Sequence, residues 1–113
     1  MTVFAVAQLR FHDRPAYDRY QARFMEVFRR FAGQLLSADE RPQVVEGEWT
    51  FQKLVLMAFP DEDAFRAWAD SPEYQEISRD RRAGAETTVL LVAGLGGSAT
   101  PARSSASLAA PSG

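Results

Sequence analysis

Apolar and polar side chains alternate with a period of two from Val3 to Phe11. Val3, Ala5, Ala7, Leu9 and Phe11 share one face and Phe4, Val6, Gln8 and Arg10 the other, which predicts a strand apolar throughout on one side and turning polar on the second. The two alanines suit close packing by a helix. The period then changes. Asp13 is placed to cap a helix, and Pro15 fits its first turn, where a missing N–H does no harm. Tyr17, Tyr20, Phe24, Phe28 and Phe31 recur at steps of three and four, so the segment reads as an amphipathic helix ending near Gly33.

Past Pro42, the residues Glu46-Gly47-Glu48-Trp49 carry a hairpin signal, and Gln43 to Trp49 followed by Gln52 to Phe59 read as two strands. Leu54, Leu56 and Ala58 alternate with Lys53, Val55, Met57 and Phe59, so the second of these strands is apolar on both sides and belongs in the centre of a sheet. Asp61, Glu62 and Asp63 then place negative charge at a helix start. Ser71-Pro72-Glu73 is a second start signal, which predicts that the helix breaks and restarts before ending at Gly84. Thr87 to Ala93, rich in β-branched residues, is the last strand. Residues 96–113 are Gly, Ser, Ala and Pro with little else, the composition of a disordered tail on a domain spanning residues 1–95.

Strand, helix, strand, strand, helix, strand is the order of a ferredoxin-like α+β domain: a four-stranded antiparallel sheet with two helices on one face. The other sheet face has no cover within the chain. It retains apolar positions drawn from Phe4, Val6, Val55, Met57 and Phe59 or their alternates, which predicts a twofold homodimer closed face to face.

Composition narrows the function classes. The chain of 113 residues is 46% hydrophobic and 25% charged, ordinary for one globular domain, and its net charge of −2 offers no field to attract nucleic acid. The lack of cysteine removes disulfide, thiolate and Cys-based metal chemistry, and a single histidine cannot build a multi-His site. No cofactor or metal is expected. No apolar run is long enough to span a bilayer, so no membrane partner is expected and a cytoplasmic location is the default reading.

Tyr17 and Tyr20, Gly33, Glu46-Gly47 with Trp49, Phe59-Pro60, Trp68, Ser71-Pro72-Glu73-Tyr74-Gln75 and Arg81 together resemble the pattern of the domain of unknown function 1330 family. The resemblance covers roughly residues 3 to 94 and implies a dimeric α+β barrel. Lys53 stands where that family more often shows arginine, which keeps the charge but loses the bidentate fork. The resemblance carries over no catalytic residue.

Candidate chemistry follows from topology. Arg10 and His12 at the end of the first strand, Lys53 at the start of the third and Arg81 near the end of the last helix are expected at one rim, with Glu46 or Glu48 as counter-ions or an organic anion held among them. His12 is the only side chain whose ordinary pKa suits proton transfer near neutrality, so His12 with Arg10 forms the candidate catalytic pair. Lys53, Arg81, Tyr20, Trp49 and Trp68 are the candidate ligand contacts, the aromatic rings lining an apolar cavity. Such a site suits a small anionic or enolisable molecule and cofactor-independent proton-transfer or oxygenase-type chemistry, by analogy of fold alone. The competing expectation is a non-catalytic binding or dimerisation module with a rim of solvated charge.

Overall fold

A computed structural model of the chain describes residues 1–95; the expected tail, 96–113, lies outside the described residues. The elements are β1 (Val3–Phe11), α1 (Arg14–Phe28), β2 (Gln34–Asp39), β3 (Lys53–Phe59), α2 (Glu62–Ala69), α3 (Pro72–Gly84) and β4 (Ala85–Ala93). The strands form one antiparallel sheet in the order β2-β3-β1-β4, the ferredoxin-like arrangement, with the helices on one face.

Local chemistry sets the helix starts. The Asp13 carboxylate accepts from the Ala16 N–H, Asp61 accepts from Ala64 at 2.8 Å, and the Ser71 hydroxyl accepts from Tyr74 at 3.1 Å. Ser71 therefore divides the second helical segment into α2 and α3, as its sequence signal predicts. α1 ends at Phe28, earlier than the expected Gly33. Gly33 marks a close approach instead, because a Cβ there would lie 2.5 Å from the Phe59 ring and 2.6 Å from the Phe28 ring.

Two strand expectations are corrected. The expected strand Gln43–Trp49 is irregular, and the true second strand is the upstream segment Gln34–Asp39, bulged between Leu35 and Ser37. It is an edge strand, so its single ladder with β3 demands no alternating apolar pattern. The connection that follows contains Gly47 at φ +88°, a backbone state that favours glycine.

The second correction concerns the faces of β3. Val55, Met57 and Phe59 lie on the helix side in register with Ala7, Ala5 and Val3, so they do not belong to the uncovered face. Their alternates do. Leu54, Leu56 and Ala58 pair across β1 with Gln8, Val6 and Phe4, and these pair onward with Thr88, Leu90 and Val92 of β4. Leu90 and Val92 are exposed, and the β3 positions are half-buried with no helix above them among the described residues. The core lies on the other side, where Phe28, Phe59, Phe65 and Trp68 meet edge to face or stacked at centroid distances of 5.3–5.9 Å for the closest pairs.

Candidate functional site

Between the sheet and the helices is a cavity of about 500 Å³. Its floor is built row by row from strand register: Lys53, Leu9 and Thr87 form one row, Val55, Ala7 and Val89 the next, and Met57 with Leu35 a third. Small size at Ala7 has a consequence opposite to the close helix packing its pattern suggests. Ala5 is fully buried, but Ala7 faces the cavity and leaves its centre open. Tyr17, Tyr20 and Phe24 of α1, Trp68 of α2 and Tyr74 of α3 form the roof.

Lys53 is the polar centre of the floor. Its side chain is only 5% exposed, and its ammonium donates to Gln21 Oε1 at 3.1 Å, sits 3.6 Å from Glu40 Oε2 and lies 4.9 Å from the Tyr17 ring centroid. Glu40 belongs more closely to Arg14, which donates to both its oxygens at 3.1 and 2.8 Å. Arg14 thereby holds the Glu40 carboxyl below its usual range. Burial lowers the pKa of Lys53 from its ordinary value, and the Glu40 charge opposes that shift only in part.

The roof is also polar at selected points. The Tyr20 and Tyr74 hydroxyls lie 3.0 Å apart within hydrogen-bonding distance, and the Arg81 guanidinium is 6.0 Å from the Tyr20 ring centroid. Burial pushes the Tyr17 phenol up to about 12 and that of Tyr20 well above its ordinary value, so both remain neutral donors at physiological pH. Among the described residues, the buried side-chain atoms without a hydrogen-bond partner are Trp68 Nε1, Arg81 Nε and Thr87 Oγ1. All three belong to residues that line this cavity. A buried polar group is costly unless it is hydrogen-bonded, and these three lie in one region of the molecule.

The structure distributes the sequence-predicted residues over two sites. Lys53, Arg81, Tyr20 and Trp68 come together around the cavity. Arg10, His12 and Trp49 do not. Arg10 points to the open sheet face, where it pairs with Glu86, donates to the Thr50 carbonyl and hydroxyl, and lies 4.8 Å from the Phe51 ring centroid. Trp49 joins it there by donating to Gln8 Oε1 at 2.8 Å. His12 is exposed in the turn before α1, its backbone N–H donating to the Gly84 carbonyl. The single rim is therefore split by the pleat, because Arg10 follows the phase of Gln8 whereas Lys53 follows that of Leu9. Glu46 and Glu48 lie on the loop over the open face and neutralise neither cavity cation; the carboxylate near Lys53 is Glu40, outside the sequence-predicted set, at 3.6 Å and shared with Arg14. Tyr17, Gln21 and Thr87 were likewise not singled out as site residues, and only the phase shared by Tyr17, Tyr20 and Phe24 hinted at a common wall.

Among the described residues no three carboxylate or imidazole groups gather as a metal site, and no helix is long and apolar enough to cross a membrane. No curated protein matches the sequence. Solved structures share its fold at low identity. A protein of unknown function from Rhodopseudomonas palustris superimposes with a TM-score of 0.71 at 17% identity, over 83% of this chain and 82% of that one. SnoaB, a cofactor-independent oxygenase from Streptomyces nogalater, gives 0.60 at 19%, over 82% and 92%. A dimeric ferredoxin-like protein of unknown function from Thermobifida fusca gives 0.60 at 14%, over 82% and 91%. The family model described as domain of unknown function (DUF1330) matches residues 2–95, and the chain belongs to that family.

Proposed function

We propose that the protein is a homodimer whose protomers each bind a small, planar organic anion in the cavity between sheet and helices. The observation that carries this reading is the pairing of two cationic side chains, Lys53 and Arg81, with a wall of aromatic rings in one concave space. Rings supply apolar contact and the cations fix a carboxylate or enolate, the combination that small-molecule sites use. Tyr20 and Trp68 complete the set of ligand contacts. The open sheet face supports the dimer: Phe4, Val6, Leu56, Leu90 and Val92 are contiguous by register and apolar, and a second copy of the same face would cover them. SnoaB lends support at the level of fold, as an enzyme of this architecture that works without a cofactor.

The position of His12 favours a second reading, a binding module without chemistry, since the one imidazole of the chain is exposed outside the cavity. Arg10 is outside it too and serves the open face in either reading.

Native mass spectrometry of protein purified without added ligand, followed by calorimetric titration with para-hydroxymethylbenzoate, tests the proposal. A dimer that carries an extra mass lost on denaturation, or that takes up the benzoate, supports it, provided Ala7→Phe abolishes the binding by filling the floor. A monomer, or a dimer that neither carries nor binds an aromatic carboxylate, overturns it.

A further inference from the structure

Lys53 is the only lysine in the chain; every other basic residue except His12 is an arginine. A guanidinium stays charged at any pH a protein meets, whereas an amine can lose its proton and become a nucleophile. This chain places its one side-chain amine on the cavity floor, 5% exposed, and places arginines at its remaining cationic positions.

We propose that Lys53 is a covalent catalyst or anchor: its amine condenses with the carbonyl group of an aromatic or short-chain oxo acid whose carboxylate is held by Arg81. This rests on the cavity being the ligand site. Three features of the site suit the step. Burial disfavours the ammonium form, so the amine is available at lower pH than in water. The strongest partner it could have had, Glu40, is held by Arg14 through two hydrogen bonds and leaves Lys53 a longer 3.6 Å contact. Finally, Gln21 Oε1 accepts from Nζ at 3.1 Å and orients the amine without neutralising it.

The step balances without an added oxidant or reductant. The neutral amine's lone pair adds to the carbonyl carbon, and the C=O π pair moves to oxygen. The oxygen then leaves as water carrying both amine hydrogens, while nitrogen forms the C=N bond. The resulting imine, once protonated, draws electrons from the adjacent carbon, so the reaction class it opens is proton removal or decarboxylation next to a carbonyl.

Sodium cyanoborohydride converts such an imine to a stable secondary amine, and the sequence makes the readout simple. Only Lys53 and the Met1 α-amine can react, and Met1 is 67% exposed, an internal reference. The protein is treated with para-carboxybenzaldehyde and cyanoborohydride, native and in urea, and adducts at the two amines are quantified by peptide mass mapping. The ratio of Lys53 to Met1 adduct is expected to be at least about tenfold higher in native than in denatured protein, a small part of what orientation in a bound complex supplies. Benzaldehyde, lacking the carboxylate, should lose most of that enhancement. A native ratio at or below the denatured one overturns the proposal and leaves Lys53 a protected structural lysine. Calorimetry with para-hydroxymethylbenzoate, which has no carbonyl to condense, keeps the two readings apart: binding without Lys53 trapping removes only the covalent step, whereas no binding together with no carried ligand removes the cavity reading beneath it.

Discussion

The two faces of this sheet are built from alternate residues of the same strands and have opposite organisation. On the helix side, Val55, Met57 and Phe59 meet a roof of aromatic rings that encloses a cavity with a buried amine in its floor. On the other side, Leu54 meets the edge of one loop, no helix among the described residues covers Leu56 and Ala58, and Arg10 and Glu86 are paired at the periphery. One face is concave with polar groups at its centre; the other is apolar at its centre with polar groups at its rim. The first suits a small ligand and the second a broad, self-complementary contact. A single residue step along β3 decides which.

The largest expected effect comes from putting charge on the open face. In the proposed homodimer Leu56→Asp enters the interface twice, and each uncompensated buried charge costs about 3–5 kcal/mol. That weakens association by at least about two orders of magnitude, which sedimentation equilibrium over a range of protein concentrations measures. Secondary structure should be retained, since no helix among the described residues covers that position. If Leu56→Asp and the parent protein sediment alike, the contrast between faces has no consequence for assembly.

On the covered face the corresponding experiment is Phe59→Ala. Phe59 is 1% exposed and packs against Phe28, Phe65 and Trp68, so its truncation should lower unfolding free energy by about 3–5 kcal/mol in urea titrations. Because the loss is within the protomer, it should persist when the comparison is made in the Leu56→Asp background. A loss that disappears there would mean that the core depends on the interface.

Lys53→Met separates stability from binding within the covered face. Methionine fills the same linear volume, relieves the desolvation of the ammonium and leaves Glu40 paired with Arg14, so stability should hold or rise slightly. Affinity for para-hydroxymethylbenzoate should fall by about 1.5–3 kcal/mol, the range for a hydrogen bond to a charged group. A variant that unfolds would show instead that Lys53 holds the fold together.

These contrasts also show what could be read in the sequence. Alternation in Val3–Phe11, the caps at Asp13 and Ser71 and the β-branched last strand were sufficient for the order of elements and the topology, because each is a local signal with a physical cause. β2 was missed because Gln34–Asp39 has only Leu35 half-buried on one face and a bulge in the middle, whereas Val44, Val45 and Trp49 imitate a strand in a segment that forms a loop. The faces of β3 were undecidable because both are apolar. Lys53 deepened the ambiguity, since a charge in phase with Val55, Met57 and Phe59 normally marks the solvent side. The cavity depends on the gap between a roof and a floor distant in sequence, and a small residue such as Ala7 reads the same whether a helix or an empty space lies above it.

The smallest expected effect is a pH dependence that only the covered face can produce. Tyr17 titrates ordinarily at 10.0, and burial, reinforced by Glu40 and Tyr74 and opposed by Arg14 and Arg81, raises it to about 12 in the folded protein. Below pH 10 the phenol is neutral in both states, so its contribution to stability is fully present. As pH rises from 10 toward about 12 the unfolded chain releases this proton while the folded chain keeps it, and stability falls through that window. Tyr20 acts in the same direction. Lys53 acts oppositely: its folded-state pKa lies below the ordinary 10.5, so the unfolded chain binds the extra proton and rising pH through that interval adds stability. Urea midpoints below pH 10 and again between 10 and 12 separate the two: Tyr17→Phe should flatten the loss between 10 and 12, while Lys53→Met should remove the gain that accrues below 10.5. Because Tyr17 lies 4.9 Å over the ammonium of Lys53, the two effects need not add, and the double variant measures the coupling across the cavity directly.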